Sequence, residues 1–366
     1  MNDGLEKNKY LIAFSCFLKF GSARIKKIRK KFENFENAWH ANSKEFCQTG
    51  IDEKLVQEFF IFKNKINLNF ILNLLQTENI KITHPGEKYY PTLLKEVYDK
   101  PEILYYKGNL ENLNEYNLAV VGSRKYTDYG ARVIHSIIPK LIENNINIVS
   151  GLALGIDSIA HQTTIASKGK TIAVLGTGID FKSIYPSSNK HLADKIIAAG
   201  GIIFSEFPPM TPPLKHHFPL RNRIVSGISM GTLVVEAAEK SGALITGKIA
   251  LDQNREVFSV PGNIFSEQSS GTNSLIKEGA KMVTTYKDIL ESLNLTDLNK
   301  TIENRKVLPQ SKEESLILSL LSQEPKHINE IIKQSNLETG KVSGVLIMLE
   351  MKNLVRNIGN MMYVKT

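Results

Sequence analysis

Residues 118–161 constrain the fold more than any other stretch: LAVVGSRKYTDYGARVIHSIIPKLIENNINIVSGLALGIDSIAH. An apolar run, 118–121, breaks at Gly122-Ser123-Arg124. Val133, Ile137, Ile138, Leu141 and Ile142 then recur at helical spacing. A second apolar run, 146–149, breaks at Ser150-Gly151 before another helical pattern. Strand, polar turn, helix, strand and polar turn together predict a βαβ unit with a parallel sheet inside it. In such sheets ligands collect beyond the carboxyl ends of the strands, where helix N-termini also point. Both turns carry small residues that let a ligand approach the backbone, and the first adds an arginine. The candidate site belongs at these turns.

The same alternation continues. Apolar runs at 171–175, 202–204, 233–235, 257–260 and 282–283 are mostly separated by helical patterns, and nearly all end in Gly, Ser, Glu or Pro. Six or seven βα units predict an α/β, Rossmann-like, doubly wound and mostly parallel sheet over residues 83–290. This range includes an N-terminal extension, 84–110, that is rich in Pro and Tyr and reads as irregular chain packed onto the sheet. Residues 1–82 read as an all-helical domain of helix-hairpin-helix or SAM-like type, with no strong strand and with Trp39 in its small core. Its piece Phe20-Gly21-Ser22-Ala23-Arg24 precedes a basic run and has two readings, a phosphate cradle or a solvated helix face. Residues 291–312 are polar and read as a linker. Over 313–366, three apolar stripes and a hairpin around Gly359-Asn360 predict a winged-helix-like domain. Its third helix carries Glu338, Lys341, Glu350 and Lys352. That near-neutral set favours a protein-contact or structural module over a reader of duplex sequence.

Composition narrows the function class. With 46 Lys+Arg against 37 Asp+Glu, the formal charge of +9 suits a polyanionic partner. Only Cys16 and Cys47 are present. Two cysteines cannot make a zinc site unaided, so a reduced, cytoplasmic setting is expected. No apolar run is long enough to span a bilayer, so no membrane partner is expected.

Two phosphate fingerprints fail. After the first strand no second glycine comes before Gly130, and after Gly176-Thr177-Gly178 the last glycine of a dinucleotide motif is replaced by Phe181. The stretch 242–248 has the spacing of a nucleotide-hydrolysing loop, but Ile249 stands where a Ser or Thr would hold magnesium, and no strand precedes it. The reading is therefore no cofactor, no metal and no catalytic residue. What remains is anion binding. Ser123 and Arg124 stand at a strand end before a helix, where amides and a guanidinium can share a phosphate. The loop 150–157 supplies more small residues, with Asp157 read as the cap of the next helix and His161 as a satisfied helix residue. Phe181 and Tyr185 lie near Lys182 and Lys190; Lys215, His216, His217, Arg221 and Arg223 surround Phe218. Basic residues interleaved with aromatics on strand-end loops suit single-stranded nucleic acid, by phosphate neutralisation and base stacking. For Arg221-Asn222-Arg223 a second reading stays open, a core-anchoring ion-pair set.

The strings VGSR, SGLALGIDSIAH, LGTGIDFKSIYPSSN, SEFPP, FPLRNRIVSG, VVEAAEKSGALIT, VPGN and GTNSLIKEGA occur in that order. Together they resemble the DNA-processing protein A family, also called DprA or Smf. The resemblance implies a single-stranded DNA-binding protein of natural transformation that protects incoming DNA and loads the RecA recombinase. A homodimer through the Rossmann-like domain and a single-strand-binding protein as a further partner belong to the same implication. Carried over by motif, Arg124 and Lys190 contact DNA phosphates, and Gly122, Ser123, Gly151, Gly155 and Gly178 offer backbone amides. Asn189, Arg221, Asn222, Arg223 and Lys248 complete the nucleic-acid-binding set. Asp128 departs from the pattern by adding a negative charge near the turn. A rival of another class is a nucleoside-monophosphate phosphoribohydrolase on the same fold, with Glu236 of Gly231-Thr232-Leu233-Val234-Val235-Glu236 as its acid. Against it, the expected double glycine is replaced by Ile228-Ser229-Met230, and Glu236 falls one residue late.

Overall fold

A computed structural model describes residues 3–112, 116–295, 311–322, 324–351 and 354–365. Two compact units divide the chain, Met1–Leu293 and Asn294–Thr366. The expected linker, 291–312, falls largely on residues 296–310, which lie outside the described residues, as does Lys352.

The first unit is built on nine strands: β1 (Lys81–Thr83), β2 (Leu104–Lys107), β3 (Asn117–Val121), β4 (Asn147–Ser150), β5 (Thr171–Leu175), β6 (Ile202–Ser205), β7 (Gly231–Val234), β8 (Glu256–Ser259) and β9 (Lys281–Met282). Their order in one sheet is β1-β2-β6-β5-β4-β3-β7-β8-β9. From β3 to β9 every pairing is parallel, while β1 and β2 join antiparallel at one edge. The chain steps from β3 out to β6, then returns to the other side of β3 and steps out again from β7. The switch point therefore lies between β3 and β7, paired from Leu118↔Gly231 to Val121↔Val234. The apolar runs foretold β3 to β8 because these strands are buried at nearly every position; β9 is exposed at both positions and shares only Met282 with the run expected at 282–283. Chain read as irregular or helical supplies β1 and β2, which are only three and four residues long and partly exposed.

Helix Asp128–Glu143 follows β3, its Thr127 side chain accepting from the Gly130 amide and its buried stripe running through Ile134, Ile137, Ile138 and Leu141. Seven short helices between Asp3 and Thr77 enclose an aromatic core. There Phe59 stacks on Phe14 and Phe20 at 5.3 and 4.8 Å, and Trp39 meets Phe14 edge-on at 5.4 Å. This core runs on into one face of the sheet through Ile82, Tyr105 and Leu175, and the Ser15 hydroxyl bonds the Tyr105 hydroxyl at 2.6 Å. Helical segment and sheet are thus packed as one body.

The second unit contains helices Lys312–Leu320, Ile328–Ser335 and Thr339–Met351 with β10 (Lys326–His327), β11 (Val355–Asn357) and β12 (Met362–Lys365), ordered β10-β12-β11 and antiparallel. Ile317, Ile331, Leu346, Leu349 and Val355 form its core. Three helices and a wing match the expected winged-helix arrangement. Among the described residues, no helix is long and apolar enough to cross a membrane.

Candidate nucleic-acid interface

A cleft of about 820 Å3 opens beyond the carboxyl ends of β3, β4 and β7, at the switch point. Two close approaches shape its floor. Gly155 holds φ +82, and a Cβ there would lie 2.3 Å from the Ser123 carbonyl oxygen. A side chain is excluded, so the turn after β4 can press against the turn after β3. The Ile156 amide donates to that same Ser123 oxygen at 3.2 Å, and the Ser123 amide donates to the Glu236 carbonyl at 2.7 Å. The turns after β3, β4 and β7 are thereby tied together. Gly151 is the second approach, since its Cβ would collide with the Arg221 guanidinium at 2.5 Å.

Under this floor lies a charged brace. Arg221 donates through Nη1 to the carbonyls of Gly151, at 2.5 Å, and Val174. The Gly151 amide donates to Asp157 Oδ2 at 3.0 Å, and the Ala153 amide does so at 3.4 Å. Gly151 is thus gripped at both ends of its peptide environment, by a cation on one side and an anion on the other. Burial lowers the Arg221 guanidinium to about 10 against the opposing pull of Asp157. Burial also raises the Asp157 carboxyl, while Arg221 and the two amides draw it back. His161 beneath is pushed down to about 3 by burial and by Arg221, and its Nδ1 bonds Thr171 Oγ1 at 2.7 Å. It is neutral at physiological pH. Gly155, not Asp157, is the N-cap of helix Ile156–Ala166; Asp157 sits inside the first turn and braces the loop instead.

The rim is different. Arg124, Lys125, Lys215 and Lys240 all line the cleft and are exposed. Among the described residues none of the four has a carboxylate within 4.0 Å. The one carboxylate lining the cleft, Asp157, is buried and already bonded. Aromatic surface stands among the cations. The Arg124 guanidinium lies 5.8 Å over the Phe218 ring, and Tyr185 packs against Phe218 at 5.9 Å. Farther along, Lys190 reaches over the exposed Phe181 ring at 4.8 Å and donates to the Lys182 carbonyl at 3.3 Å. Helix Gly242–Asp252 presents its N-terminus to the cleft, its first turn capped by Ser241, whose hydroxyl accepts from the Ala243 amide at 3.3 Å. Among the described residues, no acceptor is bonded to the amides of Arg124 and Leu154.

The sequence-derived residues separate accordingly. Gly122, Ser123, Arg124, Gly151, Arg221 and Asn222 line the cleft. The amides expected to meet phosphates are already engaged at Ser123 and Gly151. Gly178 is engaged too, donating to the Thr211 carbonyl at 3.0 Å. Gly122 packs so tightly on Ile156 that a Cβ would come within 2.7 Å. Asn189 is buried and donates through Nδ2 to the Leu152 carbonyl and Ser158 hydroxyl, at 2.9 and 2.8 Å, so it holds the 151–155 loop from behind. Asn222 accepts from Arg221 Nε at 3.1 Å. Arg223 points elsewhere, its Nη2 donating to Glu206 Oε1 and Oε2 at 2.6 and 2.5 Å. Lys248 is exposed on helix Gly242–Asp252, beyond the residues that reach the cleft. Asp128 opens its helix at the surface, outside the cleft lining. Lys240 was not foreseen; the chain after β7 brings it, and not the neighbouring Glu239, to the cleft.

Glu236 is buried, with Oε2 accepting from the Thr127 amide at 2.9 Å and Oε1 from the Thr127 hydroxyl at 2.5 Å. It fastens the first turn of helix Asp128–Glu143 and does not line the cleft. Among the described residues, no group of three or more metal-ligating side chains occurs.

The family model described as DNA recombination-mediator protein A matches residues 81–294, and the DprA winged helix domain matches residues 303–359. Protein Smf of Synechocystis is 34% identical over 391 aligned positions, covering 97% of this chain and 98% of the relative. The X-ray structure of DNA processing protein A from Streptococcus pneumoniae superposes with a TM-score of 0.62 at 37% identity, covering 73% of this chain and 96% of that one. A second structure, solved to describe the single-stranded DNA binding mode of DNA processing protein A from Helicobacter pylori, superposes with a TM-score of 0.53 at 28% identity, over 59% of this chain and 95% of that one.

Proposed function

The chain belongs to the DNA recombination-mediator protein A family, whose members are named DprA or Smf, and from that premise we propose that its switch-point cleft binds single-stranded DNA. Four exposed cations, without a carboxylate within 4.0 Å among the described residues, around a cleft whose one lining carboxylate is buried carry this reading. Arg124 and the lysines neutralise successive phosphates, the free amides of Arg124 and Leu154 take phosphate oxygens, and Phe218 and Tyr185 offer stacking faces. Lys190 with Phe181 extends the track past the cleft. Arg221, Asp157 and Asn189 shape the floor without touching the strand. Sequence preference is slight, because phosphate contacts and stacking read no base edge. Duplex binds more weakly, since paired bases cannot offer their faces to the rings.

In this reading the protein shelters incoming DNA in the cytoplasm during natural transformation and passes it to RecA, with single-strand-binding protein as the competitor it displaces. The homodimer belongs to the same reading; β9 leaves a sheet edge bearing exposed Met282. Binding, not hydrolysis, is the activity: both Glu236 oxygens are held by Thr127, which argues against an N-glycosidic hydrolase. The test is fluorescence anisotropy with labelled oligo-dT and a matched duplex. Clear preference for the single strand is expected, and faster RecA nucleation on strands coated with single-strand-binding protein should accompany it. Equal affinity for duplex and single strand would refute the cleft as the binding site.

A further inference from the structure

Helix His217–Gly227 separates two cavities. Phe218, Arg221, Asn222 and Val225 face the cleft, at the spacing of one helical face. His217, Leu220 and Arg223 face a second pocket of about 560 Å3. The opposite wall of that pocket is the hairpin Phe20-Gly21-Ser22-Ala23, which opens the ten-residue helix Ser22–Lys31. Among the described residues, two polar atoms of residues lining this pocket have no partner, His217 Nδ1 and Arg223 Nη1. Their residues are only 3% and 8% exposed. Buried polar atoms are nearly always paired, so two orphans lining one cavity mark a place that a ligand completes. The rest of the Arg223 guanidinium is fixed, by Glu206 at 2.5 Å and by Asp99 at 3.4 Å, and Nη1 is therefore held in place before any ligand arrives. His217 is fixed as well, its ring stacked on Phe207 at 4.0 Å and 18°.

The ligand class follows from the walls. Leu18, Leu214 and Leu220 stand 44%, 37% and 49% exposed at the mouth. The carboxylates on Arg223 disfavour an anion deep inside. A flat, neutral ring with an acceptor and a donor side by side on its edge satisfies both conditions: its face covers the leucines, its acceptor meets Arg223 Nη1, and its donor meets His217 Nδ1, the acceptor nitrogen of a neutral ring already bonded to the Gly176 backbone. Resting on the single-strand reading above, we propose that this pocket holds one unstacked nucleobase of the same strand that occupies the cleft. Its flanking phosphates lie toward the N-terminus of helix Ser22–Lys31 and toward Arg24. The strand crosses from one cavity to the other around the first turn of helix His217–Gly227, so the N-terminal helical segment becomes part of the DNA track.

The test uses the full chain with oligo-dT of about 5 and about 15 nucleotides, lengths that bracket the common site sizes of single-strand grooves. Leu220→Glu and Ala23→Glu alter exposed positions on opposite walls. Each should weaken the long oligonucleotide about tenfold, the loss of one well-held base, and leave the short one unchanged. Arg124→Ala should weaken both lengths. If both pocket variants bind the long strand like wild type while Arg124→Ala does not, the second pocket is refuted and the cleft stands. If wild type binds neither length, the single-strand reading falls and takes the pocket with it. Photocross-linking with 4-thiothymidine in the long strand should label residues 19–25, which line the second pocket and not the cleft. If millimolar dTMP abolishes that label without lowering strand affinity, the pocket is a mononucleotide site and the proposal is wrong.

Discussion

Arg124 and Arg221 line the same cleft and do opposite work. Arg124 ends a turn, stands exposed, and has no carboxylate within 4.0 Å among the described residues. Arg221 is 5% exposed, bonds two carbonyls, and lies across Gly151 from Asp157. One guanidinium is exposed; the other is bonded into the floor of the cleft. A cleft that binds a polyanion needs both, because exposed cations repel one another and hold position only on a rigid base. Arginine at a binding cleft is therefore not by itself a binding residue, and what separates the two kinds is the partner already present.

That contrast can be broken at its strongest point first. Arg221→Ala leaves Asp157 buried without its cation and two carbonyls without a donor. A stability loss of about 3–5 kcal/mol is expected in denaturant unfolding. A loss under about 1 kcal/mol would show that Arg221 is not structural. Acid sharpens the same point at His161. The unfolded chain takes up a proton near 6.5, whereas the folded chain refuses it until about 3. Between those values the unfolded state binds more protons, so stability falls as pH drops below 6.5, by about 2 kcal/mol at pH 5. His161→Gln should flatten this acid limb, read from unfolding midpoints at pH 7 and pH 5. The smallest effect on stability belongs to Arg124→Ala, within about 0.5 kcal/mol of wild type, because no buried partner is orphaned.

How far the sequence disclosed this depends on the range of the interactions. Strands β3 to β8 were legible because a parallel sheet covered on both faces needs unbroken apolar runs; the edge strand β9 is two residues long and exposed, and only the short run 282–283 marked it. Strands β1 and β2 were not, since LYYK in a Pro- and Tyr-rich stretch carries no periodicity that distinguishes a short antiparallel edge from packed loop. The turns after β3 and β4 were legible as a site from their small residues and Arg124. The division of labour within FPLRNR was not, because it depends on Asp157, Gly151 and Glu206, all distant in sequence. Gly178 and Asn189 illustrate the same limit. A glycine or asparagine at a strand end looks like an anion contact until the loop that claims its hydrogen bond, at Thr211 or Leu152, is seen beside it.

The most direct measurement is the salt dependence of oligo-dT affinity for wild type and Arg124→Ala. For wild type, log affinity should fall linearly with log salt at about −0.7 per phosphate neutralised. Arg124→Ala should bind more weakly and show a slope flatter by about one such contact, with unchanged unfolding. Identical slopes and affinities for the two proteins would contradict the account, because the one exposed arginine of the cleft would then carry no phosphate.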